Sequence, residues 1–395
     1  MCFPKIDSIY TRMNYFSKHF ARIFLIFIAV FLVFKVYFAF FVANGYPFGD
    51  WLINYQDGGF KRRGLLGTFV FFLYEFFHIK VQYTVFFLQF SFHFLFFYYL
   101  VRLIELKRYS ILEFIFLFTP FCLWGFVSDS GMGARKDGVL WFMLSFFTYC
   151  LAKGAMNRYR WYFFYTMFFV SVFIHESFVF FFPCFIVLYY YHTKKIKLSK
   201  IVLIALSFCV PAVIIFLFGM KDLGSAYTMN VIKACGIDFQ EGNIFVWKEE
   251  GLLKLDYYYK SLYDFSLYGI TFVLQFGYVF FYLKIKEFKK DDIKKLIFFF
   301  FVCLFSALPL FLIAIDVGRW FYNLFIFWGL LIVSILPNRE VKTEVFDYKI
   351  ILSKKNFCFI VLIFVSNFLY RAPSCFTGME TAAPLRRIMH LLGYL

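Results

Sequence analysis

The sequence lacks the motifs of nucleotide-driven chemistry. No Walker loop, GxSxG elbow or dinucleotide fingerprint stands in a strand–helix setting, and Gly131-Met-Gly133 reads only as a turn. ATP-driven chemistry is therefore excluded from the reading. The zinc-protease pattern is also missing, because His175-Glu176 is followed at position 179 by Val. The nine cysteines form no CxxC and no Cys/His set with zinc-ligand spacing, and most lie within apolar runs as small packing residues. No internal repeat is visible. No small-residue cleavage site follows the first apolar run, so no cleaved signal is expected. The reading assigns no cofactor and no metal. A net charge of +17 does not by itself call for nucleic acid, since basic loops orient a chain in a bilayer.

What is abundant is apolar surface. Of 395 residues 63% are hydrophobic and 68 are Phe, and the mean hydropathy is +0.74. The apolar runs have the length of membrane spans and do not alternate as barrel strands would. The expected fold is an all-α polytopic membrane protein with about 11 transmembrane helices plus one short re-entrant or interfacial helix. It forms one integral membrane domain over residues 1–395, with no separate soluble domain.

Charge gives the orientation. Lys5, Arg12 and Lys18 place the N-terminus in the cytoplasm, before a first span at Ala21–Ala43 that carries Lys35. Residues 44–80 form a first outer loop, and within it Thr68–His78 is too short to span: roughly 16–20 Å against about 30 Å of hydrocarbon. Further spans are expected at Val81–Leu103, Ile111–Val127 and Val139–Ala152. Trp161–Tyr191 divides into two short helices at His175-Glu176-Ser177, and a span at Ile201–Phe218 leads to a long outer loop, 219–263. Spans at Phe265–Leu283, Leu296–Ile315, Trp320–Leu336 and Phe357–Tyr370 leave an outer tail, 371–395. Cys235 and Cys375 then lie outside the spans in an oxidising compartment, where a disulfide between them is an expectation.

This orientation puts every mixed cluster of acid, base and glycine at the outer face. The cytoplasmic charges are mostly lysine; the outer ones are mostly arginine, the better bidentate ligand for phosphate. Asp50 and Asp57 accompany Lys61-Arg62-Arg63; Arg135-Lys136-Asp137 follows a glycine turn; Asp316 and Arg319 are three residues apart. The expected anion-binding set is Arg62, Arg63, Arg135, Lys136, Asp137, Asp316 and Arg319. Local pairing of each arginine with its neighbouring acid is the competing explanation, and it fits Asp316 with Arg319 well. His175, Glu176, Asp50 and Asp57 are the acid/base candidates, His175 first because imidazole titrates near neutral pH.

The arginine-bearing stretch Gly133-Ala-Arg-Lys-Asp-Gly138, followed by Ile174-His175-Glu176-Ser177, resembles bacterial O-antigen and exopolysaccharide polymerases, as does the Phe-rich, many-span layout. The first outer loop, Asp57-Gly-Gly-Phe-Lys-Arg-Arg-Gly64, with its short helix looks more like the polyprenyl-phosphate-dependent GT-C glycosyltransferases. Both resemblances imply sugar transfer outside the cytoplasmic membrane of a bacterium. The implied substrates are polyprenyl-(pyro)phosphate-linked sugars, with membrane lipid and other polysaccharide-assembly proteins as partners and no nucleic acid. The alternative class is transport: a flippase for the same lipid-linked sugar, or another solute carrier.

The topology is directly testable. Reporter fusions after residues 198, 240, 290 and 345 are expected to read in, out, in and in; a periplasmic signal at 290 overturns the orientation.

Overall fold

The computed structural model describes residues 22–23, 26–107, 117, 119, 122–123, 133–193, 196–219, 224–241, 262–285, 288–313 and 316–337, with isolated positions 357, 361, 365, 370–371 and 380–381. The described chain is helical throughout, apart from an antiparallel pairing of Tyr370–Arg371 with Glu380–Thr381. In chain order the helices are α1 (Ile26–Ala43), α2 (Tyr46–Trp51), α3 (Gly64–Phe77), α4 (Val81–Leu106), α5 (Asp137–Ala152) and α6 (Arg158–Ile174). There follow a 3-10 turn at Glu176–Phe181, α7 (Phe182–His192), α8 (Leu198–Phe218), α9 (Ala226–Ala234), α10 (Leu262–Ile285), α11 (Lys290–Ile313) and α12 (Val317–Ile335).

Five of these are long and apolar enough to cross a bilayer: α1, α4, α8, α11 and α12. The sequence reading expected more. Its spans at Ile111–Val127 and Phe357–Tyr370 fall mostly outside the described residues. Its span at Val139–Ala152 is α5, only 16 residues long. The divided segment is observed as expected: α6 stops at Ile174, His175 is extended (φ −156°, ψ 113°), and Pro183 starts α7. The short helix expected between the first two spans is also present, as α3, which is 14 residues long and so reaches about 21 Å. The long loop contains α9, which the sequence did not announce.

Burial separates a central helix from lipid-facing ones. In α12, 89% of the span is buried inside the protein, against 28% for α1, α8 and α11. The outward faces of the last three carry Phe34, Phe216, Phe298 and Phe305, as bilayer-facing helices do. Around α12 the core is an aromatic lattice; Trp328 lies 4.3 Å from Phe300 and 5.2 Å from Phe276, ring centre to ring centre. Helix α4 packs along α5, α5 along α12, and α6 along α8. Lys35 sits on α1 with its ammonium over the Phe31 ring at 5.2 Å. Cys235 is a free thiol at the end of α9, and Cys375 lies outside the described residues.

The glycines of Arg63-Gly64-Leu-Leu-Gly67 explain how α3 reaches its place. A methyl group on Gly64 would overlap the Tyr55 ring, and one on Gly67 would overlap the Ile53 carbonyl. The first turn of α3 thus lies directly on the backbone of 51–55. Gly67→Ala is expected to cost about 1–3 kcal/mol, because the clash is with backbone. Gly269→Ala, with nothing near its added methyl, serves as the neutral control in thermal unfolding.

Candidate functional site

At one end of the bundle the charged residues of five stretches meet. The first is the turn before α3. Arg63 takes a left-handed backbone (φ 60°), which costs a non-glycine residue on the order of 1 kcal/mol or more. That turn aims its side chain and its carbonyl at different partners. The guanidinium donates to Asp50 Oδ1 at 3.1 Å and to both Glu176 oxygens at 2.8–2.9 Å. The carbonyl accepts from Lys136 Nζ at 3.1 Å. Arg62 adds a longer contact to Glu176, 3.3 Å.

The second stretch is the segment ahead of α5. Its backbone is held by side chains from elsewhere: Trp51 Nε1 donates to the Ala134 carbonyl at 3.0 Å, and Gln89 Nε2 to the Gly133 and Arg135 carbonyls at 2.6 and 3.0 Å. Arg135 donates to Asp316 at 3.2 Å and lies over the Tyr46 ring at 5.1 Å.

Arg319, in the first turn of α12, is the hub. Its Nε donates to Asp137 Oδ2 at 2.6 Å, Nη1 to Asp316 at 3.1 Å, and Nη2 to His175 Nε2 at 2.8 Å. Asn323, one turn on, donates to the other Asp137 oxygen at 2.8 Å and accepts from Trp141 Nε1 at 2.6 Å. A guanidinium has no acceptor, so Nε2 of His175 carries the lone pair and Nδ1 the proton. In that tautomer Nδ1–H donates to Ser177 Oγ at 2.7 Å, and the Ser177 amide, 3.3 Å from the same nitrogen, finds no lone pair there.

The electrostatics follow from burial and this count of neighbours. Burial pushes the Asp50 carboxyl up, but Lys136, Arg63, Arg319 and Arg135 together outweigh it and hold the group well below the usual carboxylate range. Glu176 is likewise opposed by burial, yet Arg63 and Arg62 bring it down to about 2. Burial lowers Lys136 to about 8 despite Asp50 beside it. Burial, then Arg63 and Arg319, push His175 well below its ordinary value, so it stays neutral. His175 was the first-ranked proton carrier in the sequence. The structure gives it another position: fully buried, its lone pair occupied by Arg319 and its charged form disfavoured by burial and the cations around it. It orients Arg319.

Depth sorts the remaining groups. Asp50, Lys136, Asp137 and Arg319 form a floor, each no more than 1% exposed, whereas the side chains of Glu176, Arg62 and Asp316 are 24%, 16% and 15% exposed and make the rim. One oxygen of Asp50, Oδ2, is buried and takes no hydrogen bond from the described residues. Among the described residues no three His, Cys, Asp or Glu side chains gather as a metal site.

Asp57 is engaged elsewhere. Its carboxylate accepts from the Tyr227 and Thr228 amides, at 2.7 and 2.9 Å, and from the Thr228 hydroxyl, so it caps α9 from another loop. Ser225, the residue preceding α9, turns its hydroxyl to Glu241 instead. Lys61 donates to the Asp57 carbonyl. Tyr46, Trp51, Gln89, Asn323 and Ser177 belong to the cluster and were not read from the sequence. Gln89 and Asn323 had a signal, as amides inside apolar runs, where a polar side chain needs a partner. Comparison of the chain with family models, curated proteins and solved structures gives no match.

The role of Asp57 separates cap from catalyst. The two α9 amides use different oxygens of Asp57, and Asn keeps one of them, so Asp57→Asn is expected to lose part of the cap and Asp57→Ala all of it, about 1 kcal/mol or more of local stability, with α9 opened to protease. Equal loss of activity in both variants, with α9 still protected, points to chemistry instead.

Proposed function

We propose that this chain transfers sugar from a polyprenyl-linked phosphate donor at the outer face of a bacterial cytoplasmic membrane. The finer topology, about 11 spans with the N-terminus inside, is part of the same proposal. The observation that carries it is the charge of the buried cluster. Arg62, Arg63, Arg135, Lys136 and Arg319 face Asp50, Asp137, Glu176 and Asp316, with His175 neutral. Five cations against four carboxylates leave one positive charge at the end of a helical bundle, facing the level at which a lipid headgroup arrives. A buried site with that balance favours an anion of one negative charge.

This balance bears on the choice between donors. A sugar on polyprenyl phosphate is a phosphodiester with one negative charge; a repeat unit on polyprenyl pyrophosphate carries two or more. The count favours single-sugar transfer of the GT-C kind over polymerisation of lipid-linked repeat units. A flippase is favoured least, since the cations gather at one end of the bundle.

In this reading the rim does the binding. Arg62, with Arg63 and Arg135 behind it, meets the phosphate and offsets the charge that grows as it leaves. The attacking hydroxyl oxygen bonds to the anomeric carbon, the carbon–oxygen bond to phosphate breaks with its electrons on the phosphate, and the proton passes to a carboxylate. Glu176 is the most open of the four and takes that part; Asp50 holds Arg63 from below. Arg319 is a strut, with all three nitrogens donating to protein groups.

Two readouts test this. With farnesyl phosphoglucose as probe, a phosphodiester of one negative charge, Arg62→Ala is expected to weaken binding by about tenfold or more, with the unfolding midpoint unchanged. Binding is also expected to fall as pH rises through about 8, where Lys136 loses its charge, and Lys136→Met flattens that profile. No binding by the unaltered protein overturns the phosphate reading.

A further inference from the structure

We infer that Gln89, from within the α4 span, is a positioning residue that sets where Arg135 and Lys136 point. This rests on the phosphate reading above for its functional consequence, though not for its geometry. Gln89 is fully buried, and its two N–H donors both go to backbone carbonyls, those of Gly133 and Arg135. The amide orientation is therefore forced: with two carbonyls opposite it, the nitrogen must face them. The carbonyl between them, of Ala134, is taken by Trp51 Nε1. Three successive peptide planes are thus fixed by side chains of two other elements, directly before the residues that carry the charge.

The same face of α4 also receives the start of α5. A methyl group on Gly138 would come within 3.1 Å of the His93 ring and 3.7 Å of Gln89 Nε2. His93 Nδ1 meets the Gln89 carbonyl at 2.8 Å, and its ring stands edge-on to Trp141, 5.8 Å between centres. The segment therefore has no slack on the α4 side. From residue 135 onward its side chains fan out to separate partners: Arg135 to Asp316, Lys136 to the Arg63 carbonyl, Asp137 to Arg319 and Asn323. A rotation of these peptide planes moves all three at once. Side-chain donors here replace the water that a loop near a bilayer interior would lack.

A packing role for Gln89 makes a different prediction from a positioning role. Leu and Met match its volume without its donors, so packing alone is preserved by Gln89→Leu and Gln89→Met. Under the inference, either variant in nanodisc-held full-length protein speeds amide hydrogen exchange in the segment 133–139 and weakens farnesyl phosphoglucose binding by about tenfold, the scale of a lost buried hydrogen-bond pair. If Gln89 acts through this segment, the losses from Gln89→Leu and Arg135→Lys do not simply add: Gln89→Leu costs less once Arg135→Lys is present. Additive losses, or exchange in 133–139 that stays as in the unaltered protein, overturn the inference. A protein that binds no farnesyl phosphoglucose at all removes the functional reading, and the exchange measurement then decides the positioning claim by itself.

Discussion

The guanidinium of Arg319 is the contact on which this end of the molecule depends. It lies at the N-terminal turn of the most deeply buried helix, where a helix dipole already disfavours a cation. A buried cation there is tolerable only when acceptors surround it, and α5, the α6–α7 break and the turn before α12 each supply one. The helix break at His175 makes sense in this light. A continuous helix from α6 into α7 would tie up the backbone there and carry the imidazole past Arg319. Breaking it delivers a neutral acceptor and, one residue later, the carboxylate that receives Arg63.

The cluster is also a network in the strict sense that its members share partners. Glu176 serves Arg62 and Arg63; Asp316 serves Arg135 and Arg319; Asp137 serves Arg319 and Asn323. Shared partners make the losses from single substitutions non-additive, and they restrict which residues can report on ligand binding alone. Rim residues can; floor residues report on the scaffold first.

Much of this was legible from residue type. The interrupted run around His175 announced a break because a His-Glu-Ser tripeptide cannot sit in hydrocarbon unpartnered. The short α3 was visible from length, and the arginines of the cluster from the acids and glycines beside them. Other parts were hidden. Asp57 and Asp50 look alike in sequence, seven residues apart in one loop, and nothing local shows that one caps a distant helix while the other underlies Arg63. His175 looked like the group most able to titrate, because its neighbours in space, four cations, are remote along the chain. Length alone does not decide the span count, because apolar runs such as α5 and α7 are long enough to be buried but short of a bilayer's thickness.

The cap on α9 has a consequence for the order of assembly. Asp57 and Thr228 are 171 residues apart. At synthesis rates of about 5–20 residues per second, the first loop is made on the order of ten seconds or more before its partner exists. During that interval Asp57 and Asn54 are solvated and α9 has no start. The cap on α9 is thus a late, high-contact-order event: a chain arrested before residue 228 holds Asn54 and Asp57 without the α9 groups they meet in the finished protein, and it lacks Asp316 and Arg319 of the cluster as well.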